Sequence, residues 1–287
     1  MSNIIVTMTY LMLGAGILAS VITLDRSKTH IKPIAICGII CILMFYWVER
    51  LALLSAILLL LMTVVSYFHY YFKKLYIRII SILFVACVAF IASSHLLDVS
   101  NLLLYKNITV SDGSPSFSIY ANFDKGIAGL ALILLLINES RGRTPKRVKS
   151  RFRWGYCPIL VIVILAVGAL SGLGFDPKIP NSAALFLTTN MFFSTVTEEA
   201  FFRGLIQGSI IRIADKYEQW VHYLVIIGVA CLFGVAHIGG GVALALLATF
   251  AGIGYGLAYY LTGRLSAAIL VHFGVNAGHY LLLEYPV

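Results

Sequence analysis

Residues 33–72 read PIAICGIICILMFYWVERLALLSAILLLLMTVVSYFHYYF, broken by a single charged pair, Glu49-Arg50. At about 1.5 Å per residue, one helix of that length would reach roughly two thicknesses of a hydrocarbon core of about 30 Å. A helical hairpin fits better, with spans 33–48 and 51–72 turning at the charged pair. Working outward, the same criterion of about 20 apolar residues marks spans at 4–24, 75–97, 123–138, 156–174, 183–212, 219–238, 242–261 and 265–284. The chain has 287 residues, is 60% hydrophobic and only 11% charged. Soluble domains are about 25% charged. This composition excludes a soluble globular enzyme, a disordered chain and a disulfide-stapled module. It predicts an all-α fold, a polytopic transmembrane bundle of about eight to ten helices.

The net charge of +9 would suggest nucleic acid in a soluble protein. Here topology explains it, and no nucleic-acid partner is expected. Alternate loops hold Arg26, Lys28 and Lys32, then Lys73, Lys74 and Arg78, then the basic run 141–153, then Arg212 and Lys216, then Arg264. The opposite loops hold only Arg50, Lys106, Lys125 and Lys178. The bias places the first set in the cytoplasm and both termini outside, in a multi-pass protein of the cell (inner or plasma) membrane. No Lys or Arg precedes Arg26, the reverse of a signal peptide, so the first span is expected to be retained. The five cysteines lack zinc-finger spacing and read as small buried hydrophobes. Residues 98–122, rich in Ser, Asn, Gly and Pro, read as an irregular outer loop, with a weak glycosylation pattern at Asn107-Ile108-Thr109. The chain divides into N-terminal helices of unassigned role (1–140), a basic cytoplasmic loop (141–155) and a C-terminal domain (156–287).

Ionisable groups inside a membrane are costly, and each requires an explanation. His69, His95 and His222 lie near span ends and are expected at the interface. His279 is ambiguous, seven residues after His272 on nearly the same helical face. Three clusters remain. In Thr197-Glu198-Glu199-Ala200-Phe201-Phe202-Arg203, Glu199 and Arg203 are four apart and can pair. Glu198 is rotated by about 100° from Glu199 and is left available as a general base. In Phe233-Gly234-Val235-Ala236-His237, the Phe and His share a face, and Gly239-Gly240-Gly241 breaks the helix. In His272-Phe273-Gly274-Val275-Asn276, an imidazole and an amide project together, as a developing oxyanion requires. Counted at about 1.5 Å per residue, Glu198, His237, His272 and Asn276 fall near one depth, which suggests a single buried site.

These clusters resemble the three motifs of the CPBP family, the CAAX-protease and bacteriocin-processing (Abi) glutamic intramembrane proteases. Its patterns Glu-Glu-x-x-x-Arg, Phe-x-x-x-His and His-x-x-x-Asn stand here as Glu198-Glu199 to Arg203, Phe233 to His237, and His272 to Asn276, in family order. The resemblance covers about 156–284. It implies hydrolysis of a peptide bond in a membrane-associated protein or peptide, without a cofactor. In that implied scheme Glu198 and His237 activate water, Glu199 and Arg203 hold the site together, and His272 and Asn276 stabilise the oxyanion. Residues 1–140 match nothing recognised. A zinc-dependent hydrolase using Glu198, His237 and His272 is the nearest alternative, although no His-Glu-x-x-His helix is present. A proton-coupled carrier and a non-catalytic immunity protein on the same fold are the other readings. Oligomeric state is not encoded in any motif.

Overall fold

The computed structural model describes residues 2–25, 31–140 and 154–286. The expected basic loop 141–155 lies, apart from its last two residues, outside the described residues, as do Arg26 and Lys28. A helix stands at each of the ten predicted spans. Among the described residues, six helices are long and apolar enough to cross a membrane, and Lys32–Trp47 and Tyr156–Leu170 are shorter apolar helices. The protein is therefore a polytopic helical membrane protein. The chain packs as two compact units.

The first unit comprises Met1–Leu102, Tyr120–Pro145 and Phe192–Phe201. It contains α1 (Ser2–Asp25), α2 (Lys32–Trp47), α3 (Leu53–Phe68), α4 (Leu75–Ser93) and α5 (Phe123–Ser140). All of α1 to α4 pack on α5. The sequence of α5 explains this position. From Gly126 to Ile137 it is apolar on every side, and such a helix is stable only when surrounded. The outer helices show the inverse of soluble patterning. In α3, Ser55, Thr63 and Ser66 face inward with Leu59 and Met62, while Leu53, Leu54, Ile57 and Leu61 face outward. Small and polar residues between helices with apolar side chains outside is the arrangement lipid favours. An aromatic cluster closes one end: Phe45 stacks on Phe123 with centroids 3.9 Å apart, and Tyr10 meets both edge-on.

His69, at the end of its helix, is turned inward. It is fully buried, with Nδ1 2.6 Å from Ser81 Oγ and Nε2 2.6 Å from Glu139 Oε1. Arg78 also pairs with Glu139. The carboxylate that draws the imidazole inward comes from α5, a helix distant in sequence. The cysteine expectation needs correcting. Cys41 and Cys157 are buried, but Cys87 and Cys231 are exposed, on helices whose outward faces are otherwise apolar.

The second unit comprises Leu103–Ile119, Lys146–Met191 and Phe202–Val287. It contains α6 (Tyr156–Leu170), α7 (Ala183–Asn190), α9 (Gly208–Ala214), α10 (Gln219–Ala236), α11 (Val242–Thr262) and α12 (Leu265–Leu282). Helix α11 packs on α6, α10 and α12. Small residues permit this closeness: Ala245, Ala248, Ala251, Gly252 and Gly254 are all buried in α11. Residues 98–122 are not irregular throughout, as expected. Leu102–Ile108 (β1) and Phe117–Ala121 (β2) form a two-stranded sheet. Ile119, Leu104 and Phe117 pack with Ala183, Phe186 and Tyr280. Leu104, Phe117 and Ile119, read as loop because of the polar turn between them, are what the hairpin packs inward, while Leu103 stays exposed.

From Ala183 to Ala214 the chain stays helical but changes its winding. Wider π-helical stretches at Met191–Thr195 and Ala200–Gln207 flank the short helix α8 (Val196–Glu199). Insertions of this kind collect at functional sites.

Candidate active site

The second unit holds a cavity of about 120 Å³ into which His237, His272 and Asn276 all project. Each has a different local cause. His237 caps the C-terminus of α10, where the chain passes through Ile238–Gly240 into Gly241, whose φ of +100° favours glycine. Its Nδ1 lies 2.8 Å from the carbonyl oxygen of Phe233. A carbonyl only accepts, so Nδ1 carries the hydrogen, and in the neutral ring Nε2 is the acceptor. The glycine between them, Gly234, lets α11 approach closely, since a Cβ there would lie 2.6 Å from the carbonyl oxygen of Ala245.

His272 is buried in α12. Its ring stacks on Tyr255 with centroids 4.3 Å apart and meets Phe233 edge-on at 5.7 Å. Two aromatic walls thus fix the imidazole plane. One turn on, the Asn276 Nδ2 donates to Asn190 Oδ1 at 3.0 Å. An amide nitrogen carries two hydrogens. The bond to Asn190 orients the group and commits one of them. His279 also lines the cavity, with Nε2 3.0 Å from the carbonyl oxygen of Glu284, which answers its ambiguity with a rim position. The rest of the lining is apolar, including Ile164, Leu165, Leu244 and Leu247.

Arg203 belongs to this second unit and is fully buried. Its Nη2 donates to the Gly252 carbonyl at 3.0 Å, and its guanidinium lies 4.6 Å from the Phe233 ring centre and 5.3 Å from that of Tyr255. Four residues on, Gln207 Nε2 donates to the Gly256 carbonyl, also at 3.0 Å. Arg203 and Gln207 therefore form a two-rung ladder onto α11, with glycine at each rung.

Glu198 and Glu199 belong to the first unit. Glu199 is fully buried. Glu198, expected from the sequence to be left available beside a Glu199–Arg203 pair, has polar neighbours of its own. Ser194 donates its hydroxyl to Glu198 Oε1 at 2.8 Å, and Lys125 Nζ lies 3.7 Å from the same oxygen. Lys125, counted in the sequence as an outer-loop charge, is in the first turn of α5. Sequence reading missed Asn190, Gln207, Ser194 and Lys125. Asn190, Gln207 and Ser194 are uncharged polar residues in the span already singled out, a signal that a scan for ionisable groups passes over. Among the described residues, no group of three His, Cys, Asp or Glu side chains is placed to hold a metal ion.

The fold and this cavity define a polytopic membrane protein with a polar, histidine-bearing centre, of which His272 is buried, within an otherwise apolar lining. Residues 180–278 match the family model described as type II CAAX prenyl endopeptidase Rce1-like. That segment, about a third of the chain, is thus similar to the CAAX proteases. Comparison with curated proteins and with solved structures found no match.

Proposed function

We propose that the protein is a glutamic-type intramembrane endopeptidase. In this reading Glu198 and His237 take a proton from water, and the resulting hydroxide attacks the scissile carbonyl carbon. The carbonyl oxygen becomes an oxyanion, held by an N–H of His272 and by the Asn276 hydrogen that Asn190 does not use. The tetrahedral intermediate collapses, the C–N bond breaks, and the proton taken from water passes to the departing amine. Buried Glu199 is proposed to balance the charge of Arg203. The family description points to a substrate chain bearing a prenyl group near its C-terminus, and the apolar lining of the cavity suits a lipid-modified or membrane-embedded segment.

The observation that carries this reading is the convergence of His237, His272 and Asn276 on one cavity, with the His237 tautomer set so that Nε2 accepts a proton. The test compares the termini of membrane proteins in cells carrying the wild type or His237→Ala. At least one new terminus should depend on His237, and its production should survive strong chelation. Loss on chelation would favour the zinc-dependent alternative. Identical termini in the two strains would refute the protease. With a substrate in hand, Asn276→Ala should lower kcat by about 100-fold or more, the usual loss on removing an oxyanion donor. An unchanged kcat would remove Asn276 from the chemistry.

A further inference from the structure

We infer that Lys125 is a positioning residue for Glu198, so that the N-terminal helices supply part of the catalytic apparatus. The inference rests on the proposed reading of Glu198 as the base. Between Phe123 and Asn138 every residue of α5 is buried except Lys125. A lysine on a central helix would ordinarily extend its stem toward the membrane surface. This one meets the motif carboxylate instead, 3.7 Å from Oε1, with 15% of its side chain exposed.

Both ends of its peptide unit are held. Its N–H donates to Asp124 Oδ1 at 3.0 Å, and its carbonyl accepts the Thr197 hydroxyl at 2.7 Å. Asn101 secures the same turn, accepting from the Phe123 N–H at 2.7 Å and donating to Asp124 at 3.2 Å. Gly129 closes the contact one turn further along, where a Cβ would come within 3.3 Å of the Thr197 Cα. Lys125 and Glu198 thus face each other from two backbones locked together by Thr197. Lys125 and Ser194 converge on one carboxylate oxygen, the ammonium by charge and the hydroxyl by hydrogen bond. Together they fix the Glu198 rotamer and so the direction of its proton-accepting lone pairs. Lys125 lies outside the segment 180–278 that matches the family.

The test uses the full chain in liposomes, with a synthetic peptide spanning whichever membrane-protein terminus disappears in Glu198→Gln cells. Lys125→Met should lower kcat roughly 10- to 100-fold, the scale of a small misplacement of a reacting group, and leave KM within about twofold. Lys125→Arg should recover most of the loss, because it restores a cation over the same carboxylate. If Lys125→Met fails to accumulate, Lys125→Gln makes the same comparison. A wild-type kcat in the neutral variant, a loss confined to KM, or no rescue by arginine would overturn the inference and leave the base assignment intact. Wild-type termini in Glu198→Gln cells would instead overturn the base assignment, and the role of Lys125 with it.

Discussion

Glu198→Gln is expected to abolish cleavage, by a factor of about 10³ or more, in a protein that inserts and accumulates as the wild type does. The magnitude follows from the chemistry assigned to the side chain, since a positioned general base contributes about 10²- to 10⁴-fold. The expectation of normal accumulation follows from its surroundings. The substitution keeps the volume of the side chain, and an amide oxygen can still accept the Ser194 hydroxyl that now reaches Oε1. What disappears is the charge opposite Lys125, where 15% and 18% of the two side chains are accessible, and the amide oxygen stays available to the ammonium. The measurements are membrane accumulation and single-turnover cleavage in liposomes. Normal cleavage by Glu198→Gln would refute the glutamic mechanism outright. It would favour the non-catalytic reading if the cellular phenotype also persisted.

The helices were legible in the sequence because lipid imposes one strong rule: each span satisfies its own backbone bonds and must be apolar for about 20 residues. The rule concerns single segments. It says nothing about which segment a polar side chain meets. His69 illustrates the gap. Its place near the end of a hydrophobic run was legible, but not the Glu139 carboxylate on α5 and the Ser81 hydroxyl on α4 that turn it inward. Lys125 shows the same gap. Counted as a charge between spans it served topology, but the first turn of α5 turns it toward Glu198.

Within a helix the reading was better, since residues four apart do share a face. His272 and Asn276 both line the cavity, as does His237. The reading could not anticipate the π-helical winding at Ala200–Gln207, because hydropathy assumes an unvaried α period. Nor did it anticipate the hairpin of β1 and β2, whose strands are short and whose turn residues dominated the composition. The proposed base and the residues proposed to assist it were thus visible as types at fixed spacing. Their partners on other helices, Lys125 for Glu198 and Asn190 for Asn276, were not.

Arg203→Ala is expected to fail differently from Glu198→Gln: the protein should be lost from the membrane rather than silenced in it. Arg203 is fully buried, donates to the Gly252 carbonyl and lies against the rings of Phe233, Tyr255 and Phe202. A desolvated cation over aromatic faces is worth about 2 kcal/mol or more. Removing one partner of a buried charged arrangement costs about 3–5 kcal/mol, a large part of the stability of a typical domain. The geometry adds a local reason. A Cβ on Gly252 would lie 3.2 Å from the Arg203 Nη2 and 3.3 Å from the Cα of Ala230, so α11 is shaped around the guanidinium. Truncation would open a void beside the Phe233 ring, against which His237 and His272 also rest. Arg203→Lys should recover only part of the accumulation, because an ammonium lacks the planar fork that reaches Gly252 while lying on the rings. Quantifying the membrane-inserted protein for the three chains, alongside cleavage per molecule, separates the two roles. If Arg203→Ala accumulated normally and lost only cleavage, the guanidinium would belong to the chemistry and not to the scaffold that holds α11 in place.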